Sequence, residues 1–386
     1  MRGIRTKPAL HLQKNRMNVP VNEPLLDGNE KKYLVECIDT GWISSEGPFI
    51  KTFEEKLASY FGRKHAVAVS NGTVAIDIAI DAVDIQAGDE VILPTFTIIS
   101  CISGILRKGA IPIFIDQDPL TWNMDVSQIE SKITSKTKAI MIVHIYGLPV
   151  DIDPILKIAK KYNLKVIEDA AEMHGQDYNG KKCGGFGDIS TVSFYPNKHL
   201  TTGEGGMIFT DNIELAEKCR SLRNLCFVPE QRFLHYDLGY NARMTNMQAA
   251  IGVAQLERIN QFIEKKRWIG KLYQEKLKDI ELLQLPMENT NYASNIYWVF
   301  GVVIKDPEYM DAKAAMLKLA EHGIGTRPFF WGLHEQPVLS KYNIPQQGPF
   351  PVSENLSRQG FYIPSGLAIT KEQIDYVAEV VNKTFK

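Results

Sequence analysis

From about residue 51 the chain alternates short apolar runs with amphipathic stretches, and this alternation constrains the fold more than any other feature. KTFEEKLASYF has helical spacing, HAVAV reads as a strand, TVAIDIAIDAV as a helix and EVILP as a strand. IISCISGILRKG is helix-like and IPIFI a strand; AIMIVHIY, DPILKIAKKY and KVIED then read as strand, helix and strand. Apolar strand runs separated by amphipathic helices indicate βαβ units. Strands that are apolar throughout belong to a parallel sheet covered on both faces. The fold class is therefore α/β, and such a sheet binds ligands beyond the carboxyl ends of its strands.

A chain of 386 residues exceeds one compact core, so two domains are expected. The stretch TNMQAAIGVAQLERINQFIEKKRWIGKLYQEKL reads as a long connector into a smaller C-terminal domain. That domain holds the strand YWVFGVVI, the helix YMDAKAAMLKLAEHG and a last helix near KEQIDYVAEVVNKTF. The expected division is a basic arm over 1–16, a large domain over 17–255, and the connector with the small domain over 256–386. The arm has no acid and no apolar core, so it reads as a mobile segment and not a secretory signal. A net charge of -1 argues against partners held by bulk electrostatics, such as nucleic acid or an anionic membrane. No apolar run is long enough to span a bilayer. The five cysteines are scattered, with no CxxC pair or Cys/His cluster, so neither a disulfide framework nor a metal site is expected, and a reducing cytoplasm fits.

The richest stretch chemically is FYPNKHLTTGEGG, Phe194 to Gly206. It sets Lys198 between the strand run ISTVSFY and a glycine-punctuated turn, after which MIF resumes the apolar pattern. An amine at strand ends, partly buried and so more easily deprotonated, suits Schiff-base chemistry. Asp169 ends the VIED run, where an acid either caps a following helix or faces a ligand cation. Paired with Lys198, it favours a pyridoxal phosphate (PLP) site, in which a carboxylate keeps the pyridine nitrogen protonated. Gly72 and Thr73 lie between a strand and a helix, where backbone N–H groups bind anions; SNGT is also ordinary loop and N-cap sequence. No dinucleotide or ATP fingerprint accompanies them. Ser193 ends the strand before the lysine, and turn chemistry alone would also explain it. His199 is expected to be structural, and Thr245 to cap a helix. Asn241 and Arg243 have no evident local purpose. Arg327 and His334 sit in TRPFFWGLHEQP, an aromatic, proline-rich loop suited either to a sugar or nucleotide pocket or to a packed junction.

Together these segments resemble the DegT/DnrJ/StrS family of PLP-dependent nucleotide-sugar aminotransferases. GWISSEGPFIKTFE, VSNGTVAI, GDEVILPTFT, VIEDAAEMHG, SFYPNKHLTTGEGG and LGYNARMTNMQAAIG carry the resemblance, in order, from about residue 20 onward. Within the family the chain is most similar to perosamine-type enzymes that aminate C4 of a nucleotide-linked 4-keto-6-deoxyhexose. The resemblance implies PLP fold type I, the aspartate aminotransferase-like architecture. A large domain carries a mixed, mostly parallel sheet flanked by helices, beside a smaller α+β domain. It further implies a homodimer with shared active sites.

By the same resemblance, Lys198 matches the lysine bonded to the cofactor and Asp169 the partner of its pyridine nitrogen. Gly72, Thr73 and Ser193 match phosphate-binding positions, and Asn241 a residue reaching the phosphate from the neighbouring subunit. Ile98 stands where many members stack an aromatic on the cofactor, with Phe96 as the alternative; Glu172 stands where many have glutamine or histidine near the phenolic oxygen. The implied activity is transamination with L-glutamate, giving a 4-amino-4,6-dideoxy sugar nucleotide for polysaccharide or O-antigen synthesis. One rival is a nucleotide-sugar 3-dehydratase of the same fold, whose relatives carry histidine in place of Lys198. The other is a non-catalytic PLP-binding regulatory protein.

Overall fold

The computed structural model describes residues 17–385; the basic arm expected over 1–16 lies outside them. Strands β1 (His65–Val69), β2 (Glu90–Pro94), β3 (Ile111–Ile115), β4 (Thr137–Val143) and β5 (Lys165–Asp169) come first along the chain. A short hairpin of β6 (Asp177–Tyr178) and β7 (Lys181–Lys182) follows, then β8 (Ile189–Ser193) and β9 (Gly206–Thr210). Seven of these form one sheet in the order β1-β9-β8-β5-β4-β2-β3. Only β9 runs against its neighbours; the remaining pairings are parallel.

The pleat explains why these strands are apolar throughout. Val67, Val69, Val91, Leu93, Met141 and Ile167 point into one core. Their sequence neighbours Ala66, Ala68, Ile92, Ile140, Ile142 and Val166 point into another on the opposite face. Period-two side chains thus both find cover, as a helix-flanked parallel sheet requires. The first helix after β1, Gly72–Ala82, is capped by Asn71, whose Oδ1 accepts the Val74 N–H at 2.9 Å.

A second sheet, order β10-β11-β13-β12, contains β10 (Leu283–Gln284), β11 (Phe300–Ile304), β12 (Arg327–Pro328) and β13 (Gly360–Ile363), all pairings antiparallel. The expected single connector is two helices, Asn246–Leu256 and Ile259–Leu277, interrupted at Glu257 and Arg258. Thr245 caps the first with a reciprocal capping box to Gln248. The strand expected over YWVFGVVI begins only at Phe300, because Tyr297 takes a left-handed φ of 52° and breaks the ladder. Likewise the run AIMIVHIY leaves the sheet after Val143, and Tyr146 turns at φ 55°.

The expected division at 255/256 meets a correction at the N-terminal side. Val19 packs with the second sheet's core, its N–H donating to Gly323 O at 2.9 Å while its carbonyl accepts from Gly325 at 2.8 Å. The Ser365 N–H adds a bond to Val21 O at 3.2 Å. The described residues therefore begin on the C-terminal body before the chain builds the large sheet. Among the described residues, no helix is long and apolar enough to cross a membrane.

Candidate functional site

A cavity of about 720 Å³ opens beyond the carboxyl ends of β1, β4, β5 and β8. Ser70 to Thr73 enter it after β1, Thr97 and Ile98 after β2, His144 after β4, and Asp169 and Glu172 from β5 and its following turn. Ser193 and Lys198 come from the end of β8 and the loop beyond. Trp298, Phe330 and Tyr362 close the opposite side.

Asp169 is 4% exposed. Burial raises its pKa, opposed by the Ala171 N–H at 3.0 Å, by the nearby Lys198 and by the Cys101 thiol, which donates at 3.5 Å. An acid so placed calls for a cation or a shared proton on the ligand. Lys198 is partly buried on a turn closed by its own N–H donating to Tyr195 O at 2.9 Å. Its Nζ lies 3.9 Å from the centre of the Trp298 ring. Burial lowers the pKa of this amine, against the pull of Glu172 and Asp169. Glu172 accepts the Tyr146 N–H at 2.7 Å, and burial pushes its pKa up to about 8. Burial thus favours its proton-bearing form, which exerts no repulsion on a neighbouring anionic oxygen.

At the other end of the cavity, the N-terminus of helix Gly72–Ala82 presents backbone N–H groups. Thr73 Oγ1 lies 2.8 Å from Ser100 Oγ, so two hydroxyls flank that terminus. A Cβ on Gly72 would lie 2.7 Å from Ser193 Cβ, so only glycine lets the two segments meet. Ile98 is 45% exposed on the wall, whereas Phe96 is fully buried against Tyr146, Phe329 and Phe330.

The other expected residues fall elsewhere. His199 is 2% exposed, its Nδ1 bonded to His174 O at 3.1 Å, in keeping with a structural role. Asn241 is exposed and lies outside this chain's own cavity wall. Arg327 is exposed on β12, paired in register with the cavity residue Tyr362. His334 is a correction: its Nδ1 is 2.7 Å from Thr95 Oγ1 and its ring lies tilted against Phe350, with ring centres 4.7 Å apart, at the junction and not in the wall. A buried trio of His144, Glu168 and Cys183 has metal-like spacing. Glu168 already accepts the Gly184 and Phe186 N–H groups and His144 Nε2, while His144 Nδ1 accepts from Val150. These bonds of Glu168 and His144 hold the β4 and β5 ends against the 183–187 loop.

Sequence reasoning missed Trp298, Cys101 and Ser100. Ser100 and Cys101 directly follow the PTFTII segment and were open to discovery through Ile98. Trp298 was not, since 101 residues separate it from Asn197, whose carbonyl accepts its indole N–H.

An anion cup, an acid for a ring nitrogen and an amine thus line one cavity, a donor set matched to a phosphorylated pyridine aldehyde. The model of the DegT/DnrJ/EryC1/StrS aminotransferase family matches residues 24–382, and the chain belongs to that family. It is 43% identical to GDP-perosamine synthase of Escherichia coli O157:H7, covering 95% of this chain and 98% of that protein. It is 40% identical to the Vibrio cholerae enzyme of the same name, covering 95% and 99%. The solved structure of E. coli GDP-4-keto-6-deoxy-D-mannose-3-dehydratase with bound hydrated PLP superposes with a TM-score of 0.88 at 27% identity, covering 95% and 100%. The fold is PLP fold type I, the cofactor is pyridoxal 5′-phosphate, and the protein is a PLP-dependent sugar aminotransferase.

Proposed function

We propose that the protein transfers the amino group of L-glutamate to C4 of a GDP-linked 4-keto-6-deoxyhexose, giving a perosamine-like 4-amino sugar nucleotide for polysaccharide synthesis. The carrying observation is the Lys198 amine, lowered in pKa by burial on the wall that also holds Asp169 and Glu172. The identity to two GDP-perosamine synthases supports the choice of sugar and nucleotide. When bound, PLP supplies an aldehyde that takes up amines and a ring that accepts electrons.

The chain's residues do the rest. Lys198 would anchor the cofactor and, once displaced, take a proton from the donor Cα and deliver it to the cofactor carbon to which the lysine had been bonded, acting as base and then acid. Asp169 holds the proton on the ring nitrogen. Gly72, Thr73 and Ser193 bind the phosphate, with Ser100 beside them. Ile98 packs on the ring face, and Glu172 offers a proton to the phenolic oxygen. Arg327 stands at the rim, where a guanidinium suits a diphosphate.

The active enzyme is a homodimer in which Asn241 serves the partner's phosphate site. Supporting this, the segment before Asn241 exposes Phe233 at 78%, Tyr236 at 80% and Leu238 at 87%, an apolar surface that calls for cover. The setting is the cytoplasm, in keeping with five free cysteines. Incubation with L-glutamate and a panel of GDP-, dTDP- and UDP-linked 4-keto and 3-keto sugars tests the reading. An amino sugar and 2-oxoglutarate from the GDP-linked 4-keto substrate are expected. A deoxygenated keto product would establish the dehydratase instead, and no conversion at all the regulatory protein.

A further inference from the structure

Trp298 lies outside every motif that marks the site, yet it touches the Lys198 turn twice. Its ring centre is 3.9 Å from Lys198 Nζ, and its Nε1–H donates to Asn197 O at 2.9 Å. Its own placement is secured from behind. Lys266 Nζ donates to Trp298 O at 2.7 Å and to Ser365 O at 2.6 Å, clasping the main chain where it enters β11 and where it leaves β13. The indole also stacks on Tyr146, with ring centres 5.9 Å apart, and is 4% exposed. We propose that Trp298 is a positioning residue for Lys198, its ring face holding the amine on the cavity wall and its indole N–H fixing the turn that carries it.

An aromatic face favours an ammonium over a neutral amine, because the ring quadrupole attracts the cation. It therefore opposes the effect of burial on Lys198, as the Asp169 carboxyl does. Buried His174, whose pKa falls to about 3, stays neutral and adds no charge. Trp298 thus keeps the amine ready to return a proton as well as to take one. This inference rests on Lys198 being the cofactor-bearing amine.

The test reads Lys198 itself. Full-length protein freed of cofactor is pulsed with acetic anhydride across a pH series, and peptide mass spectrometry reports the midpoint of Lys198 labelling. The protein is also made with mono-, di- and trifluorinated tryptophan, which drains the ring of electron density while keeping its shape. The midpoint is expected to step down with each fluorine, by about one pH unit in all. Trp298→Leu should lower it comparably, and Trp298→Phe should preserve most of it. In the Trp298→Phe protein, fluorinating the remaining tryptophans should leave the midpoint still. A midpoint indifferent to fluorine in the wild-type sequence overturns the proposal, whether or not Trp298→Leu folds. Borohydride reduction of the holoenzyme keeps the two readings apart: cofactor fixed on another lysine would sink the functional assignment, whereas cofactor on Lys198 with an unmoved midpoint sinks only the role of Trp298.

Discussion

Lys198 and Lys266 occupy neighbouring regions of the molecule, one over the Trp298 ring and the other bonded to the Trp298 main-chain carbonyl, and burial disfavours the charged form of both. Their surroundings differ. Lys198 faces open cavity, an aromatic ring and the acids Asp169 and Glu172. Lys266 is 2% exposed in a closed junction and bonds two backbone carbonyls, with no acid paired to it among the described residues. Its pKa falls to about 7 through burial alone. A lysine made easy to deprotonate is thus not by itself a catalytic one. Chemistry also needs room for a ligand and charges that follow the proton, and only the strand-end region offers them.

The contrast breaks most readily at the lysines. Lys198→Ala should abolish the absorbance of covalently held cofactor and cut turnover by at least about 10²–10⁴-fold. Lys266→Met should retain that absorbance, since the cofactor is carried elsewhere. Parallel spectra and glutamate-dependent assays check this, and loss of bound cofactor in both would erase the distinction.

Next in size is the anion cup. Gly72→Ala would drive a Cβ to 2.7 Å from Ser193 Cβ. Overpacking of this kind costs about 1–3 kcal/mol, so cofactor affinity should fall by roughly tenfold to a hundredfold in a fluorescence titration. Unchanged affinity would place the phosphate elsewhere.

The last effect sharpens the comparison on the junction side. Lys266 has a folded pKa of about 7 against 10.5 for the free side chain. Between those values the unfolded chain binds more protons, so stability rises with pH across the window, by about 1 kcal/mol per pH unit, and is flat below it. Denaturant melts at pH 7.5 and 9.5 should show the wild type gaining on Lys266→Met as pH rises. Equal slopes would mean that the amine is better solvated than its burial indicates.

Much of the fold was legible beforehand. HAVAV, EVILP, IPIFI and KVIED match β1, β2, β3 and β5 residue for residue, because each is buried on both faces and bounded by polar or turn residues. The errors arose where packing overrode pattern. Tyr146 and Tyr297 are apolar enough to continue a strand, yet their left-handed φ values end it. The continuous helical periodicity from Thr245 onward hid a break at Glu257 and Arg258, where nothing in the pattern signals a change of direction.

The same line runs through the site. Lys198, Asp169, Gly72 and Ser193 were readable because each sits at or just past a strand end, a place local periodicity can locate. Periodicity reports which side chains are buried, and so this sequence alone determined the α/β class, the strands and the end of the sheet where ligand residues collect. Only the tertiary structure decided that Trp298 meets Lys198, that Thr95 takes up His334 and that Val19 joins the C-terminal body. Those contacts join residues far apart in the chain. Their distances depend on how whole elements close on one another, which no local spacing of apolar residues encodes.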